Sequence, residues 1–228
     1  MQFKYKYLTI LLLLINGVSK GQSITQSKLE ENNLDSICVT SGKLVKKNNL
    51  LYIDDGGMRA QIKNSNSQTA QIKFKYLGAS TVTQPLASGE LRRQIGLKLN
   101  AKDTCNLIYV MWHIQPNSKL GVSVKLNQGM DSHKQCGAGG YTNITSNFTK
   151  PLPKIEIGIW HTLLAQILGD NLLVYADNQL VWQGILPKEA VELKGSVGFR
   201  TDNGKFDVKF NSIKNNSSIS SKNNCHKD

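Results

Sequence analysis

The residues with the clearest potential for chemistry lie in the stretch HKQCGAGGY, residues 133–141. A histidine three residues before a cysteine could serve as the base of a thiolate nucleophile, as half of a metal site, or as a neighbour of one end of a disulfide. The nucleophile would need a thiol pKa lowered by positive surroundings, which His133 and Lys134 could provide. Zinc is weakly supported, because the sequence contains no CxxC or CxxH pair. The choice among these chemistries depends on the compartment.

The N-terminus predicts export. Lysines precede the apolar run LTILLLLI, residues 8–15, and small residues follow at Gly17, Ser19 and Gly21, which is the pattern of a cleavable secretory signal. The run is shorter than the roughly 17 residues that a membrane anchor needs, and no later segment is apolar enough to cross a bilayer. Cleavage after Ser19 and cleavage after Gly21 both fit. We therefore predict a signal peptide over residues 1–21 and a secreted or periplasmic protein.

Export changes the expectation for the four cysteines, Cys38, Cys105, Cys136 and Cys225. An even number of cysteines in an oxidising compartment usually forms disulfides. Cys105 opens the apolar stretch CNLIYVMWHI and is the nearest partner of Cys136 in the sequence, so we predict a Cys105–Cys136 disulfide. Cys38 and Cys225 then either join the two ends of the chain or stay free. On this interpretation HKQCGAGGY is a pinned loop and not a thiol site.

Alternating apolar and polar residues predict β-strands through the middle of the chain. In AQIKFKYLG, Ile72, Phe74 and Tyr76 alternate with Lys73 and Lys75, the period of a strand with one buried face. The same period recurs in IGLKLNA, GVSVKLN and FDVKF. The sequence therefore predicts an all-β protein, most simply a two-sheet antiparallel sandwich.

Turn-forming residues separate these strands. Clusters of Gly, Asp and Asn occur at residues 54–57, 137–140, 169–171, 177–178 and 202–204, and we interpret each as a turn. Only two short stretches have a helical pattern, residues 28–34 and residues 188–191.

Composition divides the chain into four parts. Residues 22–34 form a polar N-terminal segment after the signal peptide, and residues 35–213 form a single β-sandwich domain without internal repeats or linkers. Residues 214–228 (KNNSSISSKNNCHKD) form an Asn- and Ser-rich tail that we predict to be disordered.

Two motifs resemble the concanavalin A-like jelly-roll superfamily, which includes laminin G-like modules and domains related to 3-keto-disaccharide hydrolases. The run IWHTLLAQILGDNLLVYADNQLVWQG, residues 159–184, resembles its W-H-x-L…V-Y-x-D-G-x-x-V-W-x-G meander, and GSVGFRTDNGKFDVKFNSI resembles its closing strands. The resemblance implies a jelly-roll fold and a structural role for His161, and it indicates fold better than activity. The block from residue 87 to residue 144 resembles exported bacterial proteins of unassigned function, which implies a bacterial source.

The acidic residues argue against two activities of that superfamily. Its glucanases carry E-x-D-x-E or E-x-D-x-x-E on one strand, because a nucleophile and an acid must flank the glycosidic bond, and this sequence contains neither pattern. Calcium-dependent members need several converging oxygen ligands. Asp54, Asp55 and Asp202 could contribute, but we interpret them as turn residues. We expect no metal ion and no other cofactor.

Strand parity predicts a polar sheet face. If the apolar residues of three neighbouring strands face the core, their polar residues share the outer side, and the loop 133–141 adds two side chains at its rim. The candidate ligand-binding residues are Arg92, Gln94, Lys98, Tyr109, His113, Lys125, His133 and Tyr141. Aromatic faces stack on pyranose rings, and cationic groups pair with carboxylates or sulfates. An open face that binds an anionic glycan is one interpretation, and a solvated face whose lysines cover apolar neighbours is the other.

Charge and motifs together favour a binding protein. The formal net charge is +12, which favours anionic partners such as acidic polysaccharide, while no motif indicates specific nucleic-acid binding. We therefore predict an exported, non-catalytic carbohydrate-binding module. The alternatives are a secreted sugar-active hydrolase or lyase, and a structural or protein-interaction module of the cell envelope. The sequence leaves the oligomeric state open.

Overall fold

The structure is a computed structural model that describes residues 28–213. Fourteen strands account for most of these residues: β1 Leu29–Glu31, β2 Ile37–Ser41, β3 Val45–Lys47, β4 Leu50–Ile62, β5 Thr69–Ala79, β6 Arg93–Ala101, β7 Leu107–Gln115, β8 Lys119–Lys125, β9 Tyr141–Asn143, β10 Ser146–Thr149, β11 Trp160–Leu168, β12 Asn171–Ala176, β13 Gln179–Ile185 and β14 Ser196–Ile213. The helical elements are a 3-10 turn Leu34–Ser36, α1 His133–Cys136 and α2 Lys188–Val191. The prediction of an all-β fold is confirmed.

One long strand links two halves of a curled antiparallel sheet. Residues 196–202 of β14 pair with β6, residues 204–212 pair with β5, and the opposite edge of β14 pairs with β4. The front sheet consists of β2, residues 57–62 of β4, residues 196–202 of β14, and β6 to β9. The back sheet consists of residues 204–213 of β14, then β5, β11, β12, β13 and β10. The sheet therefore folds over itself as a jelly roll, and both halves share one core.

The two sheets pack together through the apolar faces that the sequence predicted. Ile95 of β6, Val110 of β7 and Ile72 of β5 are fully buried. The ring of Phe74 on the back sheet meets the ring of Trp112 on the front sheet edge to face, with centroids 5.7 Å apart, an arrangement that stabilises aromatic pairs beyond the area they bury.

Two predicted turns are wrong. Residues 54–57 and residues 202–204 lie inside β4 and β14, and these stretches pair with each other. Asn203 adopts a positive φ of 55° where the partner of β14 changes from β6 to β5. Its side-chain nitrogen donates to the Gln84 and Arg92 carbonyls, and its side-chain oxygen accepts from the Gln84 amide. The turn-forming residues therefore let the strand bend between sheets without ending it.

One of the two predicted helices is also wrong. Residues 188–191 form α2, but Leu29–Glu31 form the strand β1, which pairs with Ile213 to Asn211 of β14. A short isolated helix nucleates poorly, whereas the end of β14 offers ready backbone partners. The folded part therefore begins before residue 35, at which the sequence placed the start of the domain.

Several predictions fall on residues that the structure does not describe. The signal peptide 1–21, part of the N-terminal segment 22–34, and the tail 214–228 lie partly or wholly outside residues 28–213. Within the described range, no helix has the length and apolar character required to cross a membrane.

Candidate functional site

The outer side of the front sheet gathers the polar residues that strand parity placed together. On β7, Tyr109, Met111 and His113 alternate with core residues, and on β6 Lys98 stands opposite Tyr109 while Gln94 stands opposite His113. We call this side the front face. Its members are Arg59, Gln94, Lys98, Tyr109, Met111, His113, Lys125, Tyr141, Arg200 and Asp202.

The front face is not open, and this part of the prediction is wrong. Gln94, Lys98, His113 and Lys125 are all buried, and β7 is buried on both sides from Leu107 to His113. Two side chains from outside β6 and β7 cover this side: Arg92, in the connection before β6, lies against His113, and the ring of Tyr141, the first residue of β9, lies against Tyr109. Parity assigned these residues to the correct face but gave no information on what covers it.

A buried carboxylate organises the centre of the front face. Asp202 is 1 % exposed. It accepts two hydrogen bonds from Arg200, Nε to Oδ2 at 2.8 Å and Nη2 to Oδ1 at 3.2 Å, and one from Gln94 Nε2 at 2.6 Å. Arg59 Nη2 lies 3.4 Å from Asp202 Oδ1. Two guanidinium groups therefore share one carboxylate, which leaves one net positive charge.

The charge on Arg200 is firmly held. Burial by itself would lower the pKa of the Arg200 guanidinium, but the adjacent Asp202 carboxylate raises it above its ordinary value. A guanidinium that is paired on one edge keeps its remaining N–H groups in a fixed orientation. Arg200 is therefore a permanently charged donor with a defined position.

Two stacked tyrosine rings lie between two cations on the front face. The Arg200 guanidinium lies 5.3 Å from the centroid of the Tyr109 ring, which stacks on Tyr141 at 6.1 Å and an interplanar angle of 22°. Lys125 Nζ lies 5.3 Å from the centroid of Tyr141. Tyr141 is 44 % exposed, so this column of side chains reaches solvent through an aromatic ring. Desolvation of its hydroxyl raises the pKa of Tyr141 to about 12, so the phenol stays neutral.

His113 occupies the other end of the face. Its Nε2 lies 3.4 Å from Arg92 Nη1, and Arg92 also pairs with Glu90. Burial, followed by the charges of Arg92 and Lys119, lowers the pKa of His113 to about 4. The imidazole is therefore neutral at physiological pH. His113 and Tyr109 are four residues apart on one strand, roughly 13 Å, which is too far for both to act on the same bond.

The loop 133–141 is pinned as predicted. Cys105 and Cys136 form a disulfide, so Cys136 is not a free thiol. Lys125 Nζ donates to the carbonyl oxygens of Gly137 at 2.8 Å and Thr104 at 3.2 Å. These bonds position Tyr141 over the front face. His133 lies on the exposed side of α1 and does not join the other candidates. Cys38 is disulfide-bonded as well, and Cys225 lies outside the described residues.

The sequence missed Arg59, Arg200 and Asp202. Arg200 and Asp202 belong to GFRTDNG, which the sequence assigned to strand building and a turn, and Arg59 follows the cluster 54–57, which it also interpreted as a turn. The available signal was the strand parity of GFRTD, in which Arg200 and Asp202 are two residues apart and so share a face.

The acidic residues considered for calcium do not converge. Asp54 accepts hydrogen bonds from the backbone and hydroxyl of Thr81, and Asp55 accepts from the backbone of Lys43 and Gly57. Asp202 is engaged by the guanidinium groups of the front face. Over residues 28–213, no group of three or more His, Cys, Asp or Glu side chains could hold a metal ion.

Comparison with known proteins identifies the fold. No family model and no curated protein match the sequence. The carbohydrate-binding module CBM66 from Bacillus subtilis matches with a TM-score of 0.54 and 15 % identity, covering 76 % of this chain and 91 % of that one. LamAcat from Zobellia galactanivorans matches with a TM-score of 0.49 and 8 % identity, covering 82 % and 94 % of the two chains. The metal-free carbohydrate recognition domain of Emp46p matches with a TM-score of 0.48 and 12 % identity, covering 79 % of this chain and 88 % of that one. The chain has the concanavalin A-like jelly-roll fold that its motifs predicted.

Proposed function

We propose that this protein is an exported, non-catalytic carbohydrate-binding module whose front face binds an anionic glycan. The observation that carries the proposal is the column in which Arg200, held by Asp202, stacks on Tyr109, and Tyr109 stacks on the partly exposed Tyr141. This column places an exposed aromatic ring above a largely buried cation whose position is fixed.

The aromatic part of the column suits a sugar ring. Tyr141 presents an apolar ring face at the surface, while its desolvated hydroxyl stays neutral, and such amphipathic side chains contribute strongly to binding sites. Its position is set by the stacked ring of Tyr109 and by the disulfide of Cys136, which precedes it by five residues in the chain. A rigid aromatic group loses little conformational entropy on binding, so a pyranose ring could stack here at low cost.

The charged part of the column suits a carboxylate or sulfate. Arg59 and Arg200 carry two positive charges against the single charge of Asp202, and Arg59 is partly exposed. Guanidinium groups recognise planar oxyanions through paired hydrogen bonds.

The layout supports binding over bond cleavage. The accessible groups of the front face, Arg59 and Tyr141, are a cation and an aromatic ring, which can hold a charged sugar but do not supply the acid and nucleophile that bond cleavage needs. The carbohydrate-binding module from Bacillus subtilis shows that the same fold can carry a sugar-binding function. The predicted signal peptide and the disulfide fit an exported protein.

The test is isothermal titration of the mature protein with an acidic oligosaccharide and with the same oligosaccharide after its carboxyl groups have been reduced to alcohols. We expect binding to the acidic form and at least tenfold weaker binding to the reduced form, a difference of about 1.4 kcal/mol. Equal affinity for both would contradict the anionic preference. Absence of binding across an array of acidic glycans would favour an envelope interaction module, and release of shortened or unsaturated products would show an enzyme.

A further inference from the structure

A groove lies at the edge of the front sheet, beside the column. The strand order of the curled sheet begins with β10 and ends with β9, and these two edge strands are consecutive in the chain. A cavity of about 490 Å³ lies where they meet the end of β13, and residues 142–147 and 185–187 line it. This volume is within the range of small-ligand sites in proteins. We call this cavity the edge groove.

The exposed ring of Tyr141 connects the front face with the edge groove. Tyr141 is the first residue of β9, and its ring stacks on Tyr109 of β7. Because β8 lies between these strands, the side chain runs from the sheet edge toward Arg200, which lies on the ring of Tyr109. Asn143 lies two residues after Tyr141 on the same side of β9, about 7 Å along the strand. A sugar chain stacked on the Tyr141 ring therefore has the cations at one end and the edge groove near the other.

Neutral hydrogen-bonding groups line the edge groove. Asn143 and Asn147 are exposed, and neither carboxamide has a hydrogen-bond partner within residues 28–213. Thr142 and Thr145 add exposed hydroxyl groups. Each carboxamide offers two donor hydrogens and an acceptor oxygen, which suits the hydroxyl groups of a sugar. Among the described residues that line the groove, none is charged, so the groove favours a neutral ligand over an anionic one.

The edge groove also has an apolar part. Ile185 is 49 % exposed, and Ile144 and Pro187 are partly exposed. Covering an exposed apolar side chain is favourable in proportion to the area removed from water. The C–H face of a sugar ring provides such a cover, while its hydroxyl groups stay free to bond the carboxamides. The mixed wall therefore suits a sugar better than a purely apolar ligand.

Backbone hydrogen bonds hold both walls of the edge groove in place. The Ile144 amide donates to the Val122 carbonyl at 3.0 Å, which ties the connection after β9 to β8. The Leu186 amide donates to the Asp170 carbonyl at 2.8 Å, which ties the other wall to the turn before β12. A preformed site loses less conformational entropy on binding than a flexible one.

We propose that the edge groove is a second sugar subsite, which binds a neutral sugar residue linked to the acidic residue held at Arg59 and Tyr141. The inference rests on the proposed function and narrows its ligand class to glycans that contain both acidic and neutral residues. A second acidic residue gains less at this position, because the groove supplies no cation to pair with it.

The test is isothermal titration of the mature protein with glucuronic acid and with the two disaccharides that join glucuronic acid to glucose, one in each order. We expect the tighter of these disaccharides to bind at least about fivefold more tightly than glucuronic acid alone, and a disaccharide of two glucuronic acids to gain less than about twofold. An equal or larger gain from the second acidic residue would overturn the neutral preference. If glucuronic acid binds and the neutral extension adds nothing, the subsite is overturned while the proposed function stands. If none of these sugars binds, both are overturned.

Variants then assign the gain to the edge groove. The measured quantity is the affinity for the tighter disaccharide divided by the affinity for glucuronic acid, so each variant supplies its own reference. We expect this ratio to fall from about fivefold to less than about twofold in Asn143→Ala/Asn147→Ala, because the sugar hydroxyls lose their partners. Asn117→Ala, the control, removes an exposed carboxamide from the turn between β7 and β8 and should keep the ratio. Ile185→Ser should also lower it, and it replaces the double variant should that one not fold. The same ratio in the groove variants and in Asn117→Ala would overturn the proposal.

Discussion

The outer sides of the two sheets carry the same kind of contact in different surroundings. On the back sheet, Lys73 and Lys75 lie 5.5 Å and 4.9 Å from the centroid of the partly exposed Trp160 ring, and Lys73 is exposed. On the front sheet, Arg200 lies 5.3 Å from the centroid of Tyr109, and Tyr109 is buried. Cation–π contacts are weak at exposed sites and several times stronger when desolvated.

The two sheets differ in how many polar side chains they bury on their outer sides. Burying polar groups is unfavourable unless each is paired, and the front face buries Gln94, Lys98 and Asp202 together. On the outer side of the back sheet, β12 avoids this cost, because it buries Leu172, Val174 and Ala176 in the core and leaves the residues between them half-exposed. If stability alone determined the sequence, we would expect the outer side of the front sheet to leave its polar residues exposed, as β12 does. The front face is therefore the side on which function is expected.

The largest contrast is expected from removing one carboxylate on each sheet. Asp202→Ala leaves Arg59 and Arg200 without their partner and should lower the free energy of unfolding by about 3–5 kcal/mol, as for other broken buried pairs. Asp207→Ala is the matched change on the back sheet, where Asp207 lies 3.8 Å from Lys75, and it should cost less than about 1 kcal/mol. Urea unfolding of both variants measures the two losses. Similar losses would remove the distinction between the sheets.

The disulfide should contribute nearly as much. Cys105 and Cys136 close a loop of 31 residues, and the double variant Cys105→Ser/Cys136→Ser should lower the free energy of unfolding by about 3–4 kcal/mol in the chain-entropy view. Hydrogen exchange should accelerate in β8, which lies within this loop, and in β9, which follows it and pairs with β8, and stay unchanged in β11 to β13. Acceleration spread evenly over both sheets would show that the disulfide does not act on the front face in particular.

The pH dependence of stability should also report on the front face. The pKa of His113 is lowered from 6.5 to about 4 in the folded protein, so the unfolded chain binds the extra proton first as the pH falls. The stabilisation is therefore present above about pH 6.5 and is lost progressively toward pH 4, by up to about 3 kcal/mol. Urea unfolding between pH 7 and pH 4 should show a shallower decline in His113→Gln than in the natural protein. Parallel curves for the two proteins would contradict the neutral, buried state of His113.

The smallest expected effect concerns affinity. Tyr141→Ala removes the exposed ring of the column and should weaken binding of an acidic oligosaccharide by about tenfold, close to 1.4 kcal/mol. Tyr175→Ala removes a half-buried ring from the outer side of β12 and should leave affinity unchanged. Titration calorimetry measures both, and an equal loss in the two variants would assign no special role to the front face.

Local pattern predicted much of this arrangement. Alternation in IGLKLNA and in NLIYVMWHI placed Gln94, Lys98, Tyr109 and His113 on one side of neighbouring strands, and the structure places them there. Alternation has a period of two residues and needs no long-range information. The Asp177-Asn178 turn was also predictable from local sequence. Both residues take positive φ, as two-residue hairpin turns require, and Asp and Asn tolerate that conformation.

The features that local pattern missed depend on contacts between distant parts of the chain. Arg59 and Arg200 face each other because β4 pairs with β14 across most of the domain. Asp202 and Asn203 have turn chemistry, and only the crossing between the two sheets shows that they bend a continuous strand. The burial of the front face depends on Arg92, in the connection before β6, and on Tyr141, at the start of the three-residue strand β9, and neither stretch is long enough to carry a periodic signal.

The most direct measurement of the central claim compares one positive charge from each sheet. Arg59→Gln on the front face and Lys73→Gln on the back sheet remove equal charge from partly exposed and exposed positions. Titrated with the same acidic oligosaccharide, Arg59→Gln should bind at least about tenfold more weakly than the natural protein, because it loses a contact to the anionic group. Lys73→Gln should bind as the natural protein does. Equal weakening would mean that only the net charge of the protein attracts the glycan, and unchanged affinity in Arg59→Gln would place the binding site elsewhere.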